Sequence, residues 1–213
     1  MLRLNASEAA ASRSLAPVVL EFLRRHPAME VDIVTEGRLV DIVGQGFDAG
    51  IRIAESVPKH MIAVPCTPPV RFAVVGSPGY FATRSKPRTP QDLAGHVCVR
   101  TRFPSGPLYK WDFEKRGQRV SVDVAGPLTL DDHHLMVEAA LGGAGLVWTS
   151  EYAVAPHVAA GRLLRVLDDW SPPIPGLCVY YPGHRHTPAG LRAFLEVVRE
   201  VAPTLVDRDG MRR

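Results

Sequence analysis

The chain has 213 residues, 46% of them hydrophobic and 22% charged, which is ordinary for a soluble globular protein and enough for one large or two small domains. Its net charge of +3 comes from Lys and Arg scattered along the chain, so no basic stripe marks a nucleic-acid surface. No apolar run approaches the roughly 20 residues of a membrane span, and Met1 leads at once into a strand instead of a secretory segment, so the chain is expected to be neither inserted nor exported.

From the N-terminus, Arg3-Leu4-Asn5-Ala6-Ser7-Glu8 predicts a strand running into a helix with a polar first turn. Leu15, Ala16, Val19, Leu20 and Leu23 have helical spacing, with Arg24, Arg25 and His26 at the C-terminal end and Pro27 as the stop; Pro17 is expected to bend this helix early. A strand at 31–34, a short amphipathic helix at 38–43 capped around Gly44 or Gly46, and a strand at 47–53 complete a β-α-β-α-β run, which predicts a parallel sheet. Residues 61–75 are strand-like but broken by Pro65, Pro68 and Pro69, and proline is tolerated in sheets only at edges, bulges or crossings. Here the chain is expected to leave its first sheet.

Short helices are predicted at 80–82 and 90–93, a strand at 97–102, and antiparallel strands at 111–113 and 120–124 joined through Lys115-Arg116-Gly117-Gln118. A strand at 128–130, a helix at 134–141 ending at Gly142-Gly143, a strand at 146–148, a helix at 151–160 and a strand at 163–166 make a second α/β unit. Pro172, Pro173 and Pro175 precede a strand at 178–181, and a last helix at 189–201 keeps Leu191, Phe194, Leu195, Val198 and Val201 on one face. If the Pro69 region carries the chain out, the Gly176 region carries it back. The organisation expected is a first subdomain of residues 1–72 and 179–205, an inserted second subdomain of 74–177, and a disordered tail at 206–213.

The opening pattern of a strand entering a polar helical turn recurs at Leu128-Thr129-Leu130-Asp131-Asp132-His133. Each such strand end presents unpaired backbone N–H groups and a partial positive charge, which suits a small polar or anionic ligand. In an open parallel sheet ligands gather at the carboxyl ends of strands, which nominates Thr35 and Glu36 after the second strand and Arg52 at the end of the third, with a solvated loop as the plainer account of Glu36. By the same rule Thr101, Arg102 and Phe103 follow a strand in the second unit; Arg102 could fork onto a carboxylate and Phe103 flank an aromatic ring.

Other motifs point away from chemistry. Cys66, Cys98 and Cys178 are odd in number, lack a CxxC spacing and sit in apolar contexts, which suggests reduced thiols in the cytoplasm, with a redox-sensing pair as the less favoured alternative. His133-His134 and His184-Arg185-His186 lack metal-ligand spacing, so no metal or other cofactor is expected. Gly142-Gly143-Ala144-Gly145 follows a helix instead of opening one, so it serves as a C-cap and not as a phosphate loop. With no nucleophile elbow, P-loop or catalytic carboxylate pair, the chain is not expected to be an enzyme.

The stretches LRLNAS, LAPVVLEFLRRHPAMEVDI, RLVDIVGQGFDAGIRI, VVGSPGYFATRSKPRTPQDLAGHVCVR, LDD…AALGGAGLVW and AAGRLLRVLDDW occur in that order and resemble the effector-binding domain of LysR-type transcriptional regulators, from Leu2 to about Val201. The resemblance implies an α/β fold of the type 2 periplasmic-binding-protein kind: two Rossmann-like subdomains joined by two crossover strands, which act as hinges about a cleft that holds a small-molecule effector. It places Ser7 and Glu8 in the first subdomain's part of that cleft, Ser7 otherwise simply capping the helix, and it places Asp131, Asp132 and His133 in the second subdomain's part, where Asp131 or Asp132 would also serve as a helix cap.

The effector would be a carboxylate or an aromatic compound. The resemblance also implies side-by-side homodimers or homotetramers, with the helix at 15–24 against the second subdomain of its mate near the helix at 134–141. Family members usually begin with a winged helix-turn-helix and a linker helix, whereas this sequence starts at the first strand of the sensing domain, so DNA would be bound only through an N-terminal domain outside it. The alternative on the same fold is a solute-binding protein of a transport system, which would need export.

Overall fold

The computed structural model describes residues 1–7, 15–102, 106–183 and 187–204. Glu8, Phe103, the His184 to His186 cluster and the tail at 206–213 lie outside the described residues. The elements in chain order are β1 (Leu2–Ala6), α1 (Ala16–Arg25), β2 (Val31–Thr35), β3 (Ala49–Ile53), β4 (Met61–Pro65), β5 (Phe72–Gly76), α2 (Pro78–Phe81), β6 (Arg100–Arg102), β7 (Leu108–Tyr109), β8 (Trp111–Lys115) and β9 (Gln118–Val122). They continue with β10 (Thr129–Leu130), α3 (His133–Leu141), β11 (Val147–Ser150), α4 (Glu151–Ala159), β12 (Leu164–Val166), β13 (Leu177–Pro182) and α5 (Ala189–Val201). The chain divides into two compact units, residues 1–70 with 175–213, and residues 71–174.

The first unit is built on a five-stranded sheet in the order β2-β1-β3-β13-β4. β1 runs parallel to β2 and β3, and β13 runs antiparallel to β3 and β4. Alternation along the strands sends Leu2, Leu4, Ala6, Ile51 and Val179 to one face, where they meet Val18, Val19 and Phe22 of α1 and Leu191, Phe194, Leu195 and Val198 of α5. Phe22 and Phe194 meet edge to face with centroids 5.4 Å apart. Pro17 does not bend α1. It occupies the first turn, where its missing N–H has no intrahelical partner to lose and its fixed φ favours helix entry.

The helix expected at 38–43 is instead a set of turns. Asp41 Oδ1 accepts from the N–H groups of Val43 (3.1 Å) and Gly44 (3.0 Å), so the side chain competes for the donors that a helix would need. The segment is also too short to repay helix nucleation. Ile42 and Phe47 from this loop pack on Tyr180, covering the sheet face opposite the helices.

In the second unit, β11-β5-β12 form an antiparallel set and β10-β6-β7 another, with β10 parallel to β6. A parallel bridge between Cys98 and Leu146 joins them, with Val99 N–H donating to Leu146 O and Leu146 N–H to Val97 O, both at 2.8 Å. Through this bridge the order runs β10-β6-β11-β5-β12, with β7 beside β6 beyond the bridge, and so repeats the plan of the first unit, with a first parallel strand between the second and the third and antiparallel strands beyond. α3 and α4 cover one face through Met136, Val137, Ala140 and Val154. On the other face Trp111 and Phe113 of the β8-β9 hairpin join Val74 and Leu146. The hairpin turns at Arg116 and Gly117, both at positive φ, as the expected Lys115–Gln118 connection requires.

The three cysteines are free and buried. Burial pushes the thiols of Cys66 and Cys98 up to about 12, so both stay protonated and unreactive at neutral pH. Cys66 belongs to the helix-facing core of the first unit. Cys178 lies between Leu177 and Val179, which also face that core, so it points to the opposite face of the sheet and cannot bridge to Cys66 without a register shift.

Two outcomes are expected. Phe194→Ala removes a ring that is 0% exposed at the centre of the first unit's core and should cost about 3–5 kcal/mol in denaturant unfolding. A thiol reagent of the Ellman type should titrate Cys66 and Cys98 at mildly alkaline pH only after denaturation; rapid labelling of either in the folded protein would contradict their placement in closed cores.

Candidate functional site

The parallel register of the first unit aligns the predicted strand ends. Ala6 pairs with Thr35 of β2 and with Ile51 of β3, so the next residues, Ser7, Glu36 and Arg52, stand abreast at the carboxyl ends of three neighbouring strands. Glu36 N–H donates to Ala6 O at 2.8 Å, continuing the ladder into the loop. Thr35 is exposed, and Ser7 and Glu36 are half-buried.

Arg52 is only 5% exposed. Its Nη2 donates to Asn5 Oδ1 at 2.6 Å, to Arg38 O at 2.7 Å and to Glu36 O at 2.9 Å, and its Nη1 donates to Ile51 O at 2.7 Å. Desolvation lowers its pKa, an effect that Tyr180 and Glu36 oppose. The guanidinium thus ties the loop after β2 to the ends of β1 and β3, with Nε left unpartnered.

In the second unit Thr101 pairs with Leu130, which sets Arg102 level with Asp131. Arg102 is exposed, and its Nη1 donates to Gly106 O at 2.8 Å, across the turn that follows β6. Asp132 is the N-cap of α3: its Oδ1 accepts from Leu135 N–H at 2.7 Å. Asp131 is exposed beside it, and His133 opens the helix. Beyond the bridge of Cys98 with Leu146, the other edge of β6 is taken up by β7, where Thr101 pairs with Tyr109.

The hydroxyls of Thr101 and Thr149 are both buried and have no partner among the described residues. Both lie on the helix-facing side, two residues beyond Val99 and Val147 of that core. A buried hydroxyl without a partner is costly, and at a strand end it marks a place where a ligand group or water completes the bond. Thr149 was not among the sequence candidates. The signal was there: β11 is the third parallel strand of its unit, and the strand-end rule that chose Arg52 selects Thr149 and Ser150 when applied to it.

The first unit therefore brings Ser7, Glu36 and Arg52 together with Thr35 adjacent, and the second brings Thr101, Arg102, Asp131 and Asp132 together. At the far end of α3, a polar depression of about 760 Å³ is lined by Ser77, Tyr80, Arg84, Glu138, Gly142 and Arg162. Among the described residues no group of three His, Cys, Asp or Glu side chains is placed to hold a metal, and no helix is long and apolar enough to cross a membrane.

The sequence model of the family described as LysR substrate binding domain matches residues 1–203. The HTH-type transcriptional regulator YcaN of Escherichia coli is 42% identical over 198 residues, covering 93% of this chain, and PgrR of the same organism is 34% identical over 196 residues, covering 92%. The chain spans 65% of the length of the first and 66% of the second, under two thirds of either. Among solved structures, the regulatory domain of CrgA, a LysR-type transcriptional regulator from Neisseria meningitidis, superposes with a TM-score of 0.74 at 23% identity, over 94% of this chain and 98% of that one.

That likeness carries the fold, which is the type 2 periplasmic-binding-protein arrangement expected from the sequence. The repeated strand order of the two units is its signature in this molecule. The relatives are regulators of transcription, which supports the regulator reading over that of a transport protein. The chain belongs to the LysR substrate-binding domain family.

Proposed function

We propose that this chain is the ligand-sensing and oligomerisation part of a LysR-type transcriptional regulator, taking a small-molecule effector at the carboxyl ends of its parallel strands. The observations that carry this reading are the buried hydroxyls of Thr101 on β6 and Thr149 on β11, without partners among the described residues, within a chain of this family. A carboxylate suits such hydroxyls, which donate to it, and the exposed Arg102 next to Thr101 adds positive charge. Ser7, Thr35 and Glu36 supply the contacts of the first unit, with Arg52 holding their loop in place, and Asp131, Asp132 and His133 those of the second. Glu8 and Phe103 would complete the set.

An effector that favours one conformation of the chain would act on DNA binding by linkage, and a coupling of about 1–3 kcal/mol between effector and DNA affinity is enough for regulation. DNA contact belongs to a helix-turn-helix domain elsewhere in the longer regulator, and the setting is the cytoplasm. Self-association would use the apolar side chains left outside: Leu20 on α1 is 68% exposed, Ile33 on β2 is 36% exposed and Leu135 on α3 is 55% exposed. An isologous dimer pairs such patches twice.

Two measurements test the reading. In a thermal-shift screen of small carboxylates and aromatic acids, a binder should raise the melting temperature of the wild-type chain, and Thr149→Val and Arg102→Ala should each weaken it by roughly ten- to a hundredfold, the loss of about 1.5–3 kcal/mol for a hydrogen bond to a charged group. Unchanged affinity in both variants removes the strand-end site. In sedimentation at micromolar concentration the chain should run as a dimer or larger, and Leu20→Glu should shift it towards the 23.3 kDa monomer; a wild-type monomer counts against the oligomer.

A further inference from the structure

On the face of the first unit's sheet away from the helices, Asn5, Gly50 and Tyr180 form one row across β1, β3 and β13. Tyr180 lies over Gly50: a Cβ there would stand 2.3 Å from the ring's Cζ and 2.5 Å from Oη. Only glycine leaves that space, and through it the phenol reaches over β3 towards the side where Asn5 sits. Arg52 follows two residues along β3 on the same face and donates to Asn5 Oδ1 at 2.6 Å. Asn5, Tyr180 and Arg52 are 0%, 1% and 5% exposed, under a roof that includes Ile42 and Phe47.

Three polar atoms at this junction have no hydrogen-bond partner among the described residues: Asn5 Nδ2, Arg52 Nε and Tyr180 Oη. All three can donate a proton. The cation among them is bonded only to neutral oxygens, the carbonyls of Asn5, Ile51, Glu36 and Arg38 and the amide of Asn5. Among the described residues no carboxylate forms an ion pair with it; Glu36 acts on it only through longer-range electrostatics. Burial raises the pKa of the Tyr180 phenol, which keeps its proton available for donation. Buried charges ordinarily find a counter-charge, and buried donors an acceptor.

We propose that this junction binds a small inorganic anion of chloride size, held by Arg52 Nε–H, Asn5 Nδ2–H and the Tyr180 hydroxyl. Three buried donors on neighbouring residues and one positive charge without an ion-pair partner match a small spherical acceptor, and the tyrosine with its apolar roof closes the junction. The anion would complete the guanidinium that holds the loop after β2, so its occupancy would stiffen the row of Ser7, Glu36 and Arg52. This proposal stands apart from the identity of the effector.

The test compares chloride with gluconate, which is too large for the junction, at constant ionic strength. The melting temperature of the wild-type chain should climb with chloride, by roughly 3–6 °C at tenfold the dissociation constant, and should be flat in gluconate. Tyr180→Phe keeps the ring packing and should lose most of the chloride response; Arg52 variants risk misfolding and are not needed. Crystals grown in bromide should show an anomalous peak among the three donors. Equal melting temperatures in the two salts, an undiminished chloride response in Tyr180→Phe, or an ordered water with no bromide at the junction would each overturn the proposal.

Discussion

The parallel pairing of β1 with β2 and β3 is the constraint on which the first unit depends. In a parallel set every strand ends at the same edge, so one register decision places three chain exits side by side. Because Ala6 is level with both Thr35 and Ile51, Ser7, Glu36 and Arg52 cannot be far apart, whatever the intervening loops do. β6 and β10 impose the same condition in the second unit, where Arg102 and Asp131 stand level. Backbone hydrogen bonding, not the details of loop conformation, assembles the polar groups.

That edge is affordable because the rest of each sheet is buried by other means. In the first unit α1 and α5 cover one face, with Phe22 against Phe194, and the turns around Asp41 cover the other. The second face holds the buried Asn5, Arg52 and Tyr180, which lie against aliphatic and aromatic side chains and still need hydrogen-bonding partners. Arg52 meets most of that need with backbone carbonyls of the strand-end loop. The residue that settles the buried polar balance therefore also positions the site's loop.

What was legible in the sequence follows from how local the signal is. α5 was predicted at its observed bounds because Pro188 precedes it and its apolar residues keep one face over 13 residues. α3, α4 and the β8-β9 hairpin were legible for similar reasons, through a cap, a glycine stop or a turn dipeptide. The segment at 38–43 misled because its apolar spacing answers equally to a helix and to turns that drop Ile42 onto Tyr180, a contact across more than a hundred residues. Pro17 was assigned its interior penalty when it sits in the first turn. Arg52 could be nominated by position, but its inward fold could not, since the carbonyls that receive it are brought near only by the sheet. Thr149 was within reach of the rule already in use. The resemblance to a regulator family, carried by motifs spread along the chain, supplied the function that no single residue declared.

The passage of the chain between its units deserves the same physical reading. Prolines at 65, 68, 69, 172, 173 and 175 fix φ and withdraw N–H donors on both approaches, so neither segment can extend its sheet into the other unit. The two approaches are nonetheless bound to each other. Thr67 Oγ1 accepts from Leu177 N–H at 2.8 Å, Cys66 N–H donates to Leu177 O at 2.8 Å, and Ala54 N–H donates to Gly176 O at 3.0 Å. Gly176 sits so close that a Cβ would stand 2.1 Å from Pro68 O and 2.3 Å from Thr67 Oγ1, which leaves glycine as the only residue that fits. The crossing is thus a stiff paired ribbon anchored in the first unit, and not a loose linker.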